Sequence, residues 1–104
     1  NSETYSIIAK QHKKEIFNLN NIELIKQAEA ERTLKRKIEL YEQAKNYIKA
    51  AQLYEENENS GFDKRAMLNY ERAGDLKNAS RLAQRICEHE LARVYHILMN
   101  KLGA

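Results

Sequence analysis

Proline is absent from this chain, and glycine occurs only three times in 104 residues. Without proline, nothing forces a helix to end or kink at a fixed point. Three scattered glycines cannot form a glycine-rich phosphate loop. Strand-favouring residues are also scarce: there is one valine, Val94, and two threonines, Thr4 and Thr33. No apolar run approaches the ~18 residues of a membrane span, and no segment reads as a signal peptide. The single cysteine, Cys87, has no partner for an internal disulfide and points to a reducing, cytoplasmic compartment. Ala, Leu, Glu, Lys, Gln and Arg fill the sequence instead. These side chains lose little freedom in a helix, so well over half the residues are expected to be helical.

Charge of one sign is lacking too. The net charge is +3, and residues 1–31, 32–56, 57–75 and 76–104 carry −1, +2, −1 and +3. A small nucleic-acid binder ordinarily shows a stronger, clustered excess. Alternating signs along helices describe a solvated, salt-bridged surface.

The most informative feature is internal similarity. With Ile38–Glu55 set above Met67–Gln84, Tyr41 falls on Tyr70, Glu42 on Glu71, Ala44 on Ala73, Ala50 on Ala79 and Leu53 on Leu82, at an ungapped offset of 29. One further step places Leu102-Gly103 on Ala73-Gly74. Gly74-Asp75 reads as a helix stop followed by a helix start: Gly suits a left-handed terminus, and Asp75 can cap the next helix. Lys45-Asn46 is the same pair one repeat earlier, with Asn46 as cap and Lys45 at the negative end of the preceding helix. Each repeat is thus helix A, a tight turn, then helix B.

Residues 56–61 read as a polar linker, with Asp63 expected to cap the following helix. The matching junction near Cys87–Glu90 lacks glycine and should be tighter. Two readings stand open there. Ala83, Cys87, Leu91, Val94, Leu98 and Leu102 form an unbroken helical stripe, which fits one helix from Leu76 to Leu102. The repeat favours a bend near Glu88–His89.

The first third is less regular. Thr4–Phe17 reads as a helix, Asn18–Asn21 as a turn, and Asn21–Lys45 as a long second helix whose buried face shifts along its length. The large Tyr41 and Tyr70, late in helix A, and the small Ala50 and Ala79, early in helix B, suit close antiparallel packing. One repeat cannot bury both its faces, so it stacks on its neighbours.

The stretch Tyr70-x-x-x-Gly74-Asp75-Leu76-x-x-Ala79-x-x-Leu82 resembles the middle of a tetratricopeptide-type (TPR) repeat. Tyr41-x-x-x-Lys45-Asn46-Tyr47-x-x-Ala50-x-x-x-Tyr54 follows the same spacing. The resemblance covers residues 34–86 and extends into 91–104. It departs in its offset, 29 against about 34, in lacking the early Leu-Gly pair of helix A, and in having no closing proline. Similar repeats occur in SNAP-like adaptors and in the helical arms of vesicle-coat and intraflagellar-transport subunits. The resemblance implies scaffolding and peptide or domain binding rather than catalysis.

The register also stacks cations: Lys35, Lys64 and Arg93 in one row, with Arg36 on Arg65, and Arg72 on Lys101. Such a ladder suits an acidic peptide or anionic headgroups. Its competing reading is a solvated face, partly neutralised by Glu39, Glu42 and Glu71. Cys87, His89, Glu90 and His96 do not supply the roughly four convergent ligands of structural zinc, and Cys87 reads as a small buried apolar residue. His12, His89 and His96 read as surface or edge residues. There is no nucleophile elbow and no histidine-rich metal motif. No metal, no cofactor and no catalytic residue is expected.

The expectation is an all-α chain of antiparallel helix–turn–helix repeats, a short right-handed α-solenoid or bundle of about six or seven helices. It is organised as one domain: N-terminal helices over 1–32, repeats over 33–61 and 62–90, and a third repeat or terminal helix over 91–104. The start at Asn1 and the third copy stopping at Gly103-Ala104 suggest a piece of a longer protein. The expected role is a protein-interaction module, with a basic module for nucleic acid or an anionic membrane surface as the alternative. Self-association through an open repeat end is a third possibility.

Overall fold

A computed structural model describes the backbone of residues 2–57 and 60–103. It describes side chains over 20–57 and 61–103, together with Thr4, Ser6, Ile7 and Ile8. Among these residues the chain is all-helical: α1 (Ser2–Ala30), α2 (Leu34–Gln43), α3 (Tyr47–Glu56), α4 (Ser60–Arg72), α5 (Leu76–Arg85) and α6 (His89–Lys101). No helix is long and apolar enough to cross a membrane among them.

The backbone itself repeats. Left-handed residues occur at Lys45 (φ 61°), Gly74 (φ 79°) and Gly103 (φ 71°), successive positions of the 29-residue register. At Gly74 the turn is a Schellman motif: the Asp75 amide donates to the Tyr70 carbonyl at 2.9 Å and the Gly74 amide to Glu71 at 2.9 Å. A Cβ on Gly74 would meet nothing within 4 Å, so it is the backbone angle that favours glycine there. Asp75 then caps α5, its carboxylate accepting from the Asn78 amide at 3.2 Å. Asn46 caps α3 in the same way, accepting from the Lys49 amide at 3.3 Å. The caps expected at Asn46 and Asp75 are therefore in place.

The junction after α5 is a bend, and the single-helix alternative over Leu76–Leu102 does not occur. The Glu88 amide donates to the Ala83 carbonyl at 2.8 Å and the Cys87 amide to Gln84 at 3.1 Å. This is the Schellman geometry again, with Cys87 in the left-handed position at φ 63°. A side chain there costs about 1–2 kcal/mol relative to glycine. Cys87 is exposed, not a buried apolar residue as its type suggested, because the C-terminal turn of α5 swings it away from the helix axis.

Three further expectations are corrected. α1 runs straight through Asn18–Asn21, where a turn was expected. Asparagine costs only about 0.7 kcal/mol against alanine inside a helix, and no Gly or Pro reinforces it. The long helix Asn21–Lys45 is instead divided at residues 31–33. There the Glu31 carboxylate accepts from the Arg32 and Thr33 amides, each at 3.1 Å, and holds the chain out of helical geometry. Asp63 lies in the first turn of α4 rather than ahead of it, and Ser60 and Gly61 belong to that helix rather than to a linker. From there Asp63 still favours the positive helix end.

By contacts the chain forms two units, residues 1–45 and 46–104. In the first, α1 packs on α2, and Ala28, Ile38, Leu40, Tyr41 and Ala44 are buried. In the second, α3 packs on α4, α4 on α5 and α5 on α6. One core runs through it: Ala51, Ala66, Met67, Tyr70, Ala79, Leu82, Ala83, Ala92 and Tyr95. Ala50 and Ala79 are fully buried, and Tyr41 and Tyr70 nearly so, each within its own unit.

Candidate partner-binding surface

The seven candidate cations are all exposed. Lys35 and Arg36 lie on α2 in the first unit, where Arg36 sits 3.6 Å from Glu39. Lys64, Arg65 and Arg72 lie on α4, and Arg93 and Lys101 on α6. Lys64 and Arg93 occupy equivalent positions on α4 and α6, as do Arg72 and Lys101. The counterpart of Arg65 on α6 is Val94. Arg72 is partly engaged within the fold: it reaches Asn69 Oδ1 at 3.4 Å, and its guanidinium lies 5.9 Å from the Tyr47 ring centre. At the 29-residue offset the second unit thus holds two pairs of these cations on α4 and α6.

Sequence reasoning missed the acidic staple of that unit. Glu55, at the end of α3, receives the Tyr70 hydroxyl at 2.7 Å and Arg81 Nη1 at 2.7 Å, with Arg85 at 3.7 Å. Arg85 also approaches Asp63 at 3.8 Å. One carboxylate thus ties α4 and α5 to α3. The Arg81 hydrogen bond is the main reason the Glu55 carboxyl is held below its ordinary value, with the Tyr70 hydroxyl adding to it. Burial and the Glu55 charge push Tyr70 up to about 12. Tyr95 repeats the device, donating to Glu71 at 2.9 Å, and burial followed by that bond raises it well above the usual tyrosine value. Only the 26-residue separation of Glu55 and Arg81 could have hinted at the staple, and it is invisible until the helices are stacked.

Between α5 and α6 lies an open groove of about 210 Å³, lined by Lys77, Ser80, Arg81, Gln84, His96 and Met99. The Ser80 hydroxyl oxygen is buried there without a hydrogen-bond partner among the described residues. An exposed apolar row, Val94, Ile97, Leu98 and Leu102, also runs along α6. Among the described residues no three His, Cys, Asp or Glu side chains converge as metal ligands do. The side chain of His12 lies outside the described residues, while His89 and His96 are exposed.

No family model, curated protein or solved structure matches this chain.

Proposed function

We propose that this chain is a non-catalytic protein-interaction module, a TPR-like helical-repeat segment of a scaffold or adaptor that works in the cytoplasm. The observation that carries the reading is the stacked register. Lys45, Gly74 and Gly103 share a left-handed backbone angle 29 residues apart. Successive A helices α4 and α6 therefore present Lys64 with Arg93, and Arg72 with Lys101, at matching positions. Side chains in such a row engage an extended partner through several modest charge contacts, which suits a protein or peptide with acidic segments.

Binding assays with acidic peptides, duplex DNA and anionic vesicles at ~50 and ~200 mM salt test the reading, because phosphate binding weakens steeply as counterions are released. The expected result is binding of the acidic peptide that survives at the higher salt and falls at least about tenfold in K64E/R93E. Tight, sequence-indifferent DNA binding with a steep salt slope, or equivalent binding to anionic vesicles, would overturn it in favour of a phosphate-binding module. Molar mass across a concentration series separates partner binding from self-association: the account expects a monomer.

A further inference from the structure

The A helices of the second unit carry one pattern twice. On α4, Lys64, Leu68 and Arg72 follow one another at four-residue steps, and on α6 so do Arg93, Ile97 and Lys101. Four-residue steps keep side chains on one face of a helix. Each helix therefore shows a stripe of cation, aliphatic, cation, and the two stripes coincide at the 29-residue offset. In the other unit α2 has Lys35, Glu39 and Gln43 at these positions, so the repeat itself does not demand the pattern.

Packing leaves this face uncovered. α4 is packed by α3 and by α5, and Glu71 ties it to Tyr95 of α6 at 2.9 Å. With neighbours on every other side, Leu68 still keeps 37% of its surface in water, and Ile97 keeps 46%. Exposure here thus belongs to the repeat position and is already present on a helix enclosed by its neighbours. An aliphatic side chain so placed adds little burial to the fold itself. The charge around it is unbalanced. Five exposed cations, Lys64, Arg65, Arg72, Arg93 and Lys101, stand with two exposed carboxylates, Glu71 and Glu90. Glu71 is engaged by Tyr95, and Arg72 leans on Asn69 and Tyr47. Lys64, Arg93 and Lys101 have no hydrogen-bond or ion-pair partner among the described residues.

A partner that meets two such stripes must present two rows of side chains with the same step. A helix does so through its i, i+4 and i+3, i+7 neighbours, whereas an extended strand turns one row to each side. We infer that the outer face of α4 and α6 is a docking site for an acidic amphipathic helix of a partner protein. Its aliphatic residues rest on Leu68 and Ile97. Its carboxylates, one turn before and one turn after them, meet Lys64, Arg93 and Lys101. Aliphatic burial supplies the salt-resistant part of the binding, and complementary charge rejects basic helices. This rests on the protein-interaction reading above and names the partner's chemistry and conformation.

The test titrates the full chain with cross-linked helical peptides that carry Glu, Leu and Glu at four-residue steps in two adjacent rows. One control has serine in place of each leucine, and another has prolines at the outward positions, which forbid the helix. The leucine peptide should bind at least about tenfold more tightly than either control. In L68S/I97S its affinity should fall to that of the serine peptide, whose own binding should not change. In K64E/R93E both acidic helices should weaken. Equal binding of the leucine and serine peptides, equal binding of the proline peptide, or an unchanged leucine preference in L68S/I97S would overturn the inference. The peptide comparison on the unaltered chain decides it even where a variant folds poorly. If acidic peptides bind without regard to leucine and still lose affinity in K64E/R93E, the docking assignment falls and the interaction reading stands. If only DNA or anionic vesicles bind, both fall.

Discussion

α3 and α4 form a seat that α5 fills, and α5 and α6 form the same seat one repeat later, where it stands open. In the first, Ala51, Met67 and Tyr70 are at most 4% exposed, and Glu55 gathers donors from two other helices. In the second, lysine, serine and histidine stand where isoleucine, alanine and methionine stood. The difference teaches that the repeat specifies backbone geometry, while the side chains at its fixed positions vary in charge and polarity.

The largest expected effect comes from emptying the filled seat. Leu82→Ala should destabilise the fold by about 3 kcal/mol through the lost burial and the cavity left behind, measured by urea unfolding. Met99→Ala, at the open seat, should change stability by less than about 1 kcal/mol. Comparable losses at both sites would erase the distinction.

Breaking the staple comes next. Tyr70→Phe removes a hydrogen bond to a carboxylate and should cost about 1.5 kcal/mol. The pH dependence of unfolding carries a matching signature. Tyr70 is raised in the folded state, so its contribution is full below its ordinary value of 10.0 and is lost as pH climbs through about 12. Glu55 is lowered, so its contribution is present above its ordinary value of 4.5 and is lost as pH falls through the folded value. Tyr70→Phe should flatten the alkaline limb, and Glu55→Gln should flatten both.

Smaller effects separate the two Schellman turns. Cys87→Gly should stabilise by about 1 kcal/mol, because the left-handed angle suits glycine. Gly74→Ala should destabilise by a similar amount for the same reason. Thermal melts that move both variants in one direction would contradict the shared geometry. The smallest change is Ser80→Ala. Deleting a buried hydroxyl that has no hydrogen-bond partner among the described residues should leave stability within about 0.5 kcal/mol or raise it slightly.

The fold of residues 38–86 was legible because its turns use residues with strong local physics. Gly74-Asp75 and Asn46 announce a stop and two caps, and the 29-residue offset places them in register. The N-terminal third was not, because its signals are weak. Asn18–Asn21 offers polar residues but no breaker, so α1 continues through it. Glu31–Thr33 offers no Gly or Pro, yet a single glutamate fork on two amides divides α1 from α2. Cys87 was misjudged because residue type speaks for burial while its place in the turn decides exposure. The cations of the candidate surface could be read as repeat positions. The staple and the groove could not, since both exist only where helices distant in sequence meet.

Methionine oxidation tests the contrast between the seats most directly. Met67 on α4 and Met99 on α6 line the two seats, at the repeat positions of His96 and Tyr70 respectively, one 1% exposed and the other half-buried. Under dilute hydrogen peroxide, followed by mass spectrometry of the two peptides, Met99 should oxidise at least about tenfold faster than Met67, whose reaction waits on local opening of the core. Equal rates, or faster reaction at Met67, would contradict one filled seat and one open seat.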